Sequence, residues 1–173
     1  MNLLVIFLQF LFFTFKNGFV NSELERKTNV IDLIKVSTLT TVSELDLPKY
    51  MGHWYQVYAA PIDFTFQGYG RCITADYEIT GANNVSVLNS QFNMKGDFEQ
   101  IYGYAFYKDV DKPGQLSVVL DGAPVVAPYW VLKLGEVVNE MYQYSIISVP
   151  LGTSLWVLVR DVKEFFSSAY KEE

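Results

Sequence analysis

From residue 46 onward the chain alternates short apolar and aromatic runs with gaps of Gly, Pro, Asn and Asp. The first run, His53 to Ala59, follows Asp46-Leu47-Pro48-Lys49-Tyr50. There Asp46 is an expected N-cap and Pro48 an early helical residue, so one helical turn should lead into a strand. Further β-branched and aromatic runs cover Cys72 to Ile79, Val85 to Asn93, Phe98 to Lys108 and Gln115 to Leu120. Tyr129 to Glu136, Tyr142 to Val149 and Ser154 to Arg160 complete the set. The gaps, such as Thr80 to Asn84 or Asp121-Gly122-Ala123-Pro124, carry turn residues. Eight strands with hairpin-length links, and no helical period long enough for a crossover, predict an antiparallel meander. Such a sheet closes best as an eight-stranded antiparallel up-and-down β-barrel, which leaves no edge and encloses room for one small ligand. The expected class is all-β. The barrel occupies 46–161, and a short C-terminal helix with its tail, 162–173, packs on the wall.

Residues 1–22 have a different character. Leu3 to Phe15 is an almost unbroken apolar stretch, the length of a signal h-region and short for a bilayer span. Val20-Asn21-Ser22 offers compact residues for cleavage after Ser22, so 1–22 is expected to be a signal peptide and the protein secreted. An uncleaved anchor is the alternative, since no early Lys or Arg precedes the apolar run. Residues 23–45 form a polar arm with scattered Ile, Leu and Val.

Half the 173 residues are hydrophobic, with 13 Phe, 12 Tyr and 3 Trp, a composition that suits strands and amphipathic cavities. Cleavage after Ser22 would leave 12 basic against 19 acidic residues, a formal charge of −7. That balance argues against nucleic acid as a partner. The lone histidine, His53, cannot build a metal site or a triad, and no cofactor motif is present. Cys72 has no second cysteine to pair with in the chain. The sequon Asn84-Val85-Ser86 lies in a turn and would be glycosylated in the secretory pathway.

Gly52-His53-Trp54 near the start of the strand-rich region resembles the first lipocalin signature. Leu155-Trp156-Val157-Leu158-Val159-Arg160-Asp161 resembles the third. Gly70 to Tyr77, Val87-Leu88-Asn89 and Ala127-Pro128-Tyr129-Trp130-Val131-Leu132 are similar to segments of the apolipoprotein D and bacterial outer-membrane lipocalin group. The resemblance runs from Asp46 to about Asp161. The second signature, Thr-Asp-Tyr, is replaced by Leu134-Gly135-Glu136, and the partner of the half-cystine matching Cys72 is missing.

The resemblance implies that Arg160 stacks on Trp54 to close the barrel base, with Gly52 as the turn residue. It also points Trp54 inward, and strand alternation then assigns the lumen face. Gln56 and Tyr58 follow from the first strand, Ala75 and Tyr77 from the second, and Val87, Asn89 and Gln91 from the third. The fourth supplies Gly103 and Ala105 as small residues that leave room for a cavity. Leu116, Val118 and Leu120 come from the fifth, Tyr129 and Val131 from the sixth, Ser145 and Ile147 from the seventh, and Trp156 from the eighth. The expected ligand-binding set is therefore Tyr58, Ala75, Tyr77, Val87, Asn89, Gly103, Ala105, Val118, Leu120, Tyr129, Ser145, Ile147 and Trp156.

A lining that is apolar and aromatic, with a few hydroxyl and amide groups, holds a lipophile by buried area. The expectation is a non-enzymatic secreted carrier of a small hydrophobic ligand, monomeric or weakly oligomeric. The resemblance implies a fatty acid, sterol, retinoid or bilin as ligand, and peripheral membrane or receptor contact through the barrel rim. Two other readings stand beside it. One is a lipid-modifying enzyme using Cys72, since one lipocalin branch does isomerase chemistry with a strand cysteine. The other is a protein-interaction module working through the aromatic loop Ile62 to Gly70.

Overall fold

The computed structural model describes residues 39–60, 70–123 and 125–167. Residues 1–22, the expected signal segment, together with most of the arm (23–38), the loop 61–69, Pro124 and the tail 168–173, lie outside the described residues.

Leu47–Tyr50 forms a single helical turn, α1, closed by the Met51 amide donating to the Leu47 carbonyl at 3.1 Å. Asp46 occupies the N-cap position but its carboxylate does not cap. It is drawn instead to the Lys49 ammonium one turn on. The strands that follow are β1 (Gly52–Ala59), β2 (Arg71–Gly81), β3 (Asn84–Phe92), β4 (Phe98–Tyr107), β5 (Gln115–Leu120) and β6 (Ala127–Leu134). A two-residue pair, β7 (Val137–Val138) and β8 (Met141–Tyr142), precedes β9 (Tyr144–Ser148) and β10 (Leu155–Val159). Helix α2 (Val162–Ser167) ends the described chain.

Eight of these strands close into one antiparallel barrel in the order β1-β10-β9-β6-β5-β4-β3-β2. Every neighbour except the closing β1–β10 pair is adjacent in sequence once the small hairpin is set aside, as a meander requires. The β7–β8 hairpin was not expected. It turns on Asn139 and Glu140, both at positive φ (49° and 63°), the backbone of a primed turn that matches strand twist.

Alternation divides each strand into a barrel-core face and an outer face. The inner cluster joins Tyr50, Trp54, Val85, Val87, Ala105, Leu116, Tyr129, Val131, Ile147 and Leu158. A separate outer cluster joins Tyr144, Val157, Val159 and Phe165, with Val57 and Ile146 against it. This is where α2 docks. Phe165 is its buried residue, and a helix of six residues is held by that anchor rather than by its own propensity.

Besides two irregularities in β2, between Arg71 and Thr74 and between Ile79 and Gly81, two register shifts move a side chain to the face opposite the expected one. Between Gln56 and Tyr58 the register against β10 shifts, so Tyr58 pairs with outward-facing Val157 instead of continuing inward. Tyr58 is consequently on the outer wall, 46% exposed, with its ring 6.3 Å from Phe165 and 6.0 Å from Phe166. The expectation that Tyr58 lines the lumen is wrong, because one extra residue in a strand exchanges its two faces. Ala59, paired with Trp156, takes the inward place. The second bulge, between Val131 and Lys133, turns Leu134 into the core where strict alternation sends it out.

Candidate ligand-binding lumen

The closed end is built first by α1 and the opening of β1. Gly52 adopts φ +89°, a left-handed conformation that glycine tolerates. A Cβ there would meet the Arg160 Nη1 only at ordinary contact distance, 3.4 Å, so the backbone conformation rather than space calls for glycine. Trp54 is completely buried, and its indole N–H donates to the Tyr50 carbonyl at 2.8 Å. The Arg160 guanidinium stacks 3.7 Å over the indole centroid. Its nitrogens fan across five carbonyls: Nε to Tyr142, Nη1 to His53, and Nη2 to Lys49, Tyr50 and Met51. Burial lowers the Arg160 pKa to about 10, which leaves it a cation at neutral pH. The stack and the fan of hydrogen bonds weld the last strand to the first at the base.

Above this base runs a line of hydroxyls. The Tyr50 hydroxyl donates to Ser145 Oγ at 2.9 Å and shares a 2.7 Å bond with the Tyr129 hydroxyl. Tyr129 in turn lies 3.3 Å from the Tyr77 hydroxyl. The rings also interlock, with Tyr50 and Tyr77 stacked at 5.9 Å and Tyr77 edge-on to Tyr129 at 6.3 Å. Burial pushes the Tyr50 phenol up to about 12, and it raises Tyr77 and Tyr129 further, so all three stay neutral well into the alkaline range. Sequence reasoning placed Tyr77, Tyr129 and Ser145 on the inner face but assigned no role to Tyr50. A helix of one turn has no period to show which way its residues point.

The inner wall then divides by accessibility. Ala75, Val87, Ala105, Tyr129, Ser145 and Ile147 are sealed into the core. Tyr77, Asn89, Gly103, Val118, Leu120 and Trp156 also lie on inward-facing positions, yet each retains accessible surface. Trp156 stands over the hydroxyl line, its ring 5.8 Å from Tyr129. Asn89 is paired with Ala75, one step along the same face from the Tyr77–Val87 pair. Ile101 and Ala127, which the sequence reading did not single out, occupy the same face through their pairings with Asn89 and Val118.

Gly103 does not serve the purpose expected of it. A Cβ at this position would come within 2.8 Å of Leu120 Cδ2 and closer still to the Val119 carbonyl oxygen. The missing side chain is therefore filled by the backbone of β5. It lets two strands approach closely and adds no cavity space.

Outside the lumen, Cys72 is exposed at φ +53° within the irregular pairing at the start of β2. His53 points outward to Asp76, with Nδ1 2.7 Å from the carboxylate. Asn84 is exposed at the start of β3. Among the described residues no three His, Cys, Asp or Glu side chains converge as metal ligands.

A closed eight-stranded antiparallel barrel, plugged at one end and with accessible inner wall above the plug, belongs to the class of barrels that hold small molecules in their interior. Residues 45–169 match the family model for a lipocalin-like domain, and the chain belongs to the lipocalin family, whose members bind small hydrophobic ligands. It is 36% identical over 116 residues to apolipoprotein D of Oryctolagus cuniculus, covering 67% of this chain and 57% of that protein. It is 32% identical over 120 residues to the outer membrane lipoprotein Blc of Vibrio cholerae, covering 69% and 67% respectively. The chain thus spans somewhat over half the length of the apolipoprotein D it matches. Among solved structures, the cockroach allergen Per a 4 superposes with a TM-score of 0.52 at 16% identity, over 70% of this chain and 73% of that one, a likeness of fold.

Proposed function

We propose that the protein is a secreted carrier that holds one small hydrophobic molecule in the barrel lumen and does no chemistry on it. The observation that carries this reading is the accessible inner wall, Tyr77, Asn89, Val118, Leu120 and Trp156, above a base sealed by Trp54 and Arg160. A wall of that composition gains about 25 cal/mol for each Å² of apolar surface a ligand covers. Secretion is inferred from the apolar leader and the compact residues before position 23. Exposure of Asn84 suits a glycan on the closed end, away from the lumen mouth. The alternative role for Cys72 as a nucleophile has less support, since the thiol lies in the irregular pairing at the start of β2 and not among the accessible inner-wall residues that a ligand would touch.

The test is mass spectrometry of organic extracts from protein purified from its native source, joined to ligand titration of the recombinant protein by tryptophan fluorescence. A stoichiometric lipophile that rebinds and quenches Trp156 supports the reading. An empty extract with no binding of any lipophile sinks it.

A further inference from the structure

We infer that the open end of the hydroxyl line Tyr77–Tyr129–Tyr50–Ser145 is a polar subsite on the lumen floor that accepts the hydroxyl end of a neutral lipophile. The inference rests on the carrier reading and names the chemical class its ligand must have.

The direction of the line follows from its one fixed donor. Tyr50 donates its proton to Ser145 Oγ. A phenol has a single O–H, so in the 2.7 Å contact with Tyr129 the Tyr50 oxygen accepts and Tyr129 donates. Tyr129, its proton spent, accepts in turn from Tyr77. All three tyrosine protons therefore run toward Ser145, and the Tyr77 oxygen at the far end is left with acceptor capacity alone. Tyr77 is also the tyrosine of the three that keeps accessible surface, whereas Tyr50 and Tyr129 are buried. A ligand oxygen arriving there must bring its own proton. An alcohol does so, but an aldehyde, ketone or carboxylate meets lone pair with lone pair.

Charge points the same way. The cation of the floor, Arg160, lies face-on against Trp54 with its nitrogens directed at five backbone carbonyls, so it presents no donor upward to an anion. The environment that keeps the three phenols protonated also penalises a buried carboxylate.

The experiment uses three probes that share one skeleton: retinol, retinal and retinoic acid, titrated into the recombinant protein at neutral pH. Retinol is expected to bind about tenfold or more tightly than retinoic acid, the scale of one buried polar group left unpaired, with retinal between them. Tyr77→Phe, folded by circular dichroism, should shrink that gap to about twofold, and Tyr58→Phe on the outer wall should leave it intact. Retinoic acid binding as tightly as retinol overturns the inference while leaving the carrier reading in place. So does a gap that survives Tyr77→Phe. Should none of the three bind, the molecule extracted from the native protein decides. A neutral alcohol supports the inference, a carboxylic acid overturns it, and an empty extract removes the carrier reading itself.

Discussion

Replacing Gly103 by alanine separates two accounts of why this position is small. If glycine merely leaves room in the lumen, Gly103→Ala should narrow the cavity and raise stability slightly, by about 0.4–1 kcal/mol, through a less flexible unfolded chain. The structure predicts the opposite sign. The new methyl would lie 2.8 Å from Leu120 Cδ2 and 3.0 Å from Leu120 Cα, where ordinary contact begins at 3.4 Å, and it would press hardest on the Val119 carbonyl oxygen. The Leu120 side chain could rotate away, but the β5 backbone cannot yield without opening the β4–β5 ladder at Gly103–Leu120 and Tyr104–Val119. Overpacking of this kind costs about 1–3 kcal/mol, which outweighs the unfolded-state gain. In urea unfolding the midpoint should fall with the slope unchanged. Gly81→Ala is the control, since a Cβ there meets only Asn84 Cβ at 3.7 Å. Equal or greater stability of Gly103→Ala would refute the close-approach argument and restore the cavity role.

Trp54→Ala should cost about 3–5 kcal/mol, measured by the same unfolding assay, because it empties a fully buried site and removes the surface on which Arg160 stacks. Tyr58→Ala should weaken the docking of α2 and leave ligand affinity unchanged; a changed affinity would return Tyr58 to the lumen. Cys72→Ser should bind ligand as the parent does, since the thiol is exposed. Alkaline pH supplies a further check. The Tyr50 phenol titrates near 12 in the fold against 10 unfolded, so its contribution is intact below pH 10 and is lost as pH rises toward 12, up to about 3 kcal/mol. Unfolding free energy measured from pH 8 to 11.5 should decline above pH 10, less steeply in Tyr50→Phe.

The number of barrel strands, their antiparallel order and the identity of most inward residues could be read along the chain, whereas the small β7–β8 hairpin could not. Each strand announces itself by β-branched and aromatic runs between turn residues, and the two-residue period is a property of the backbone alone. Trp54, Ala75, Val87, Ala105, Leu116 and Ile147 face the core because they sit on one phase of that period. Tyr58 and Leu134 do not obey it, since a bulge is set by how a strand pairs with its neighbour and leaves no composition mark of its own. The purpose of Gly103 was hidden for a similar reason: absence of a side chain looks the same whether a cavity or another backbone fills the space. Tyr50 lay further out of reach. Its hydroxyl meets Tyr129 and Ser145, 79 and 95 residues away in the chain, and only closure of the barrel brings those three oxygens together. Periodicity is local and survives in the sequence, whereas register shifts, backbone approach and hydrogen-bond direction exist only between strands.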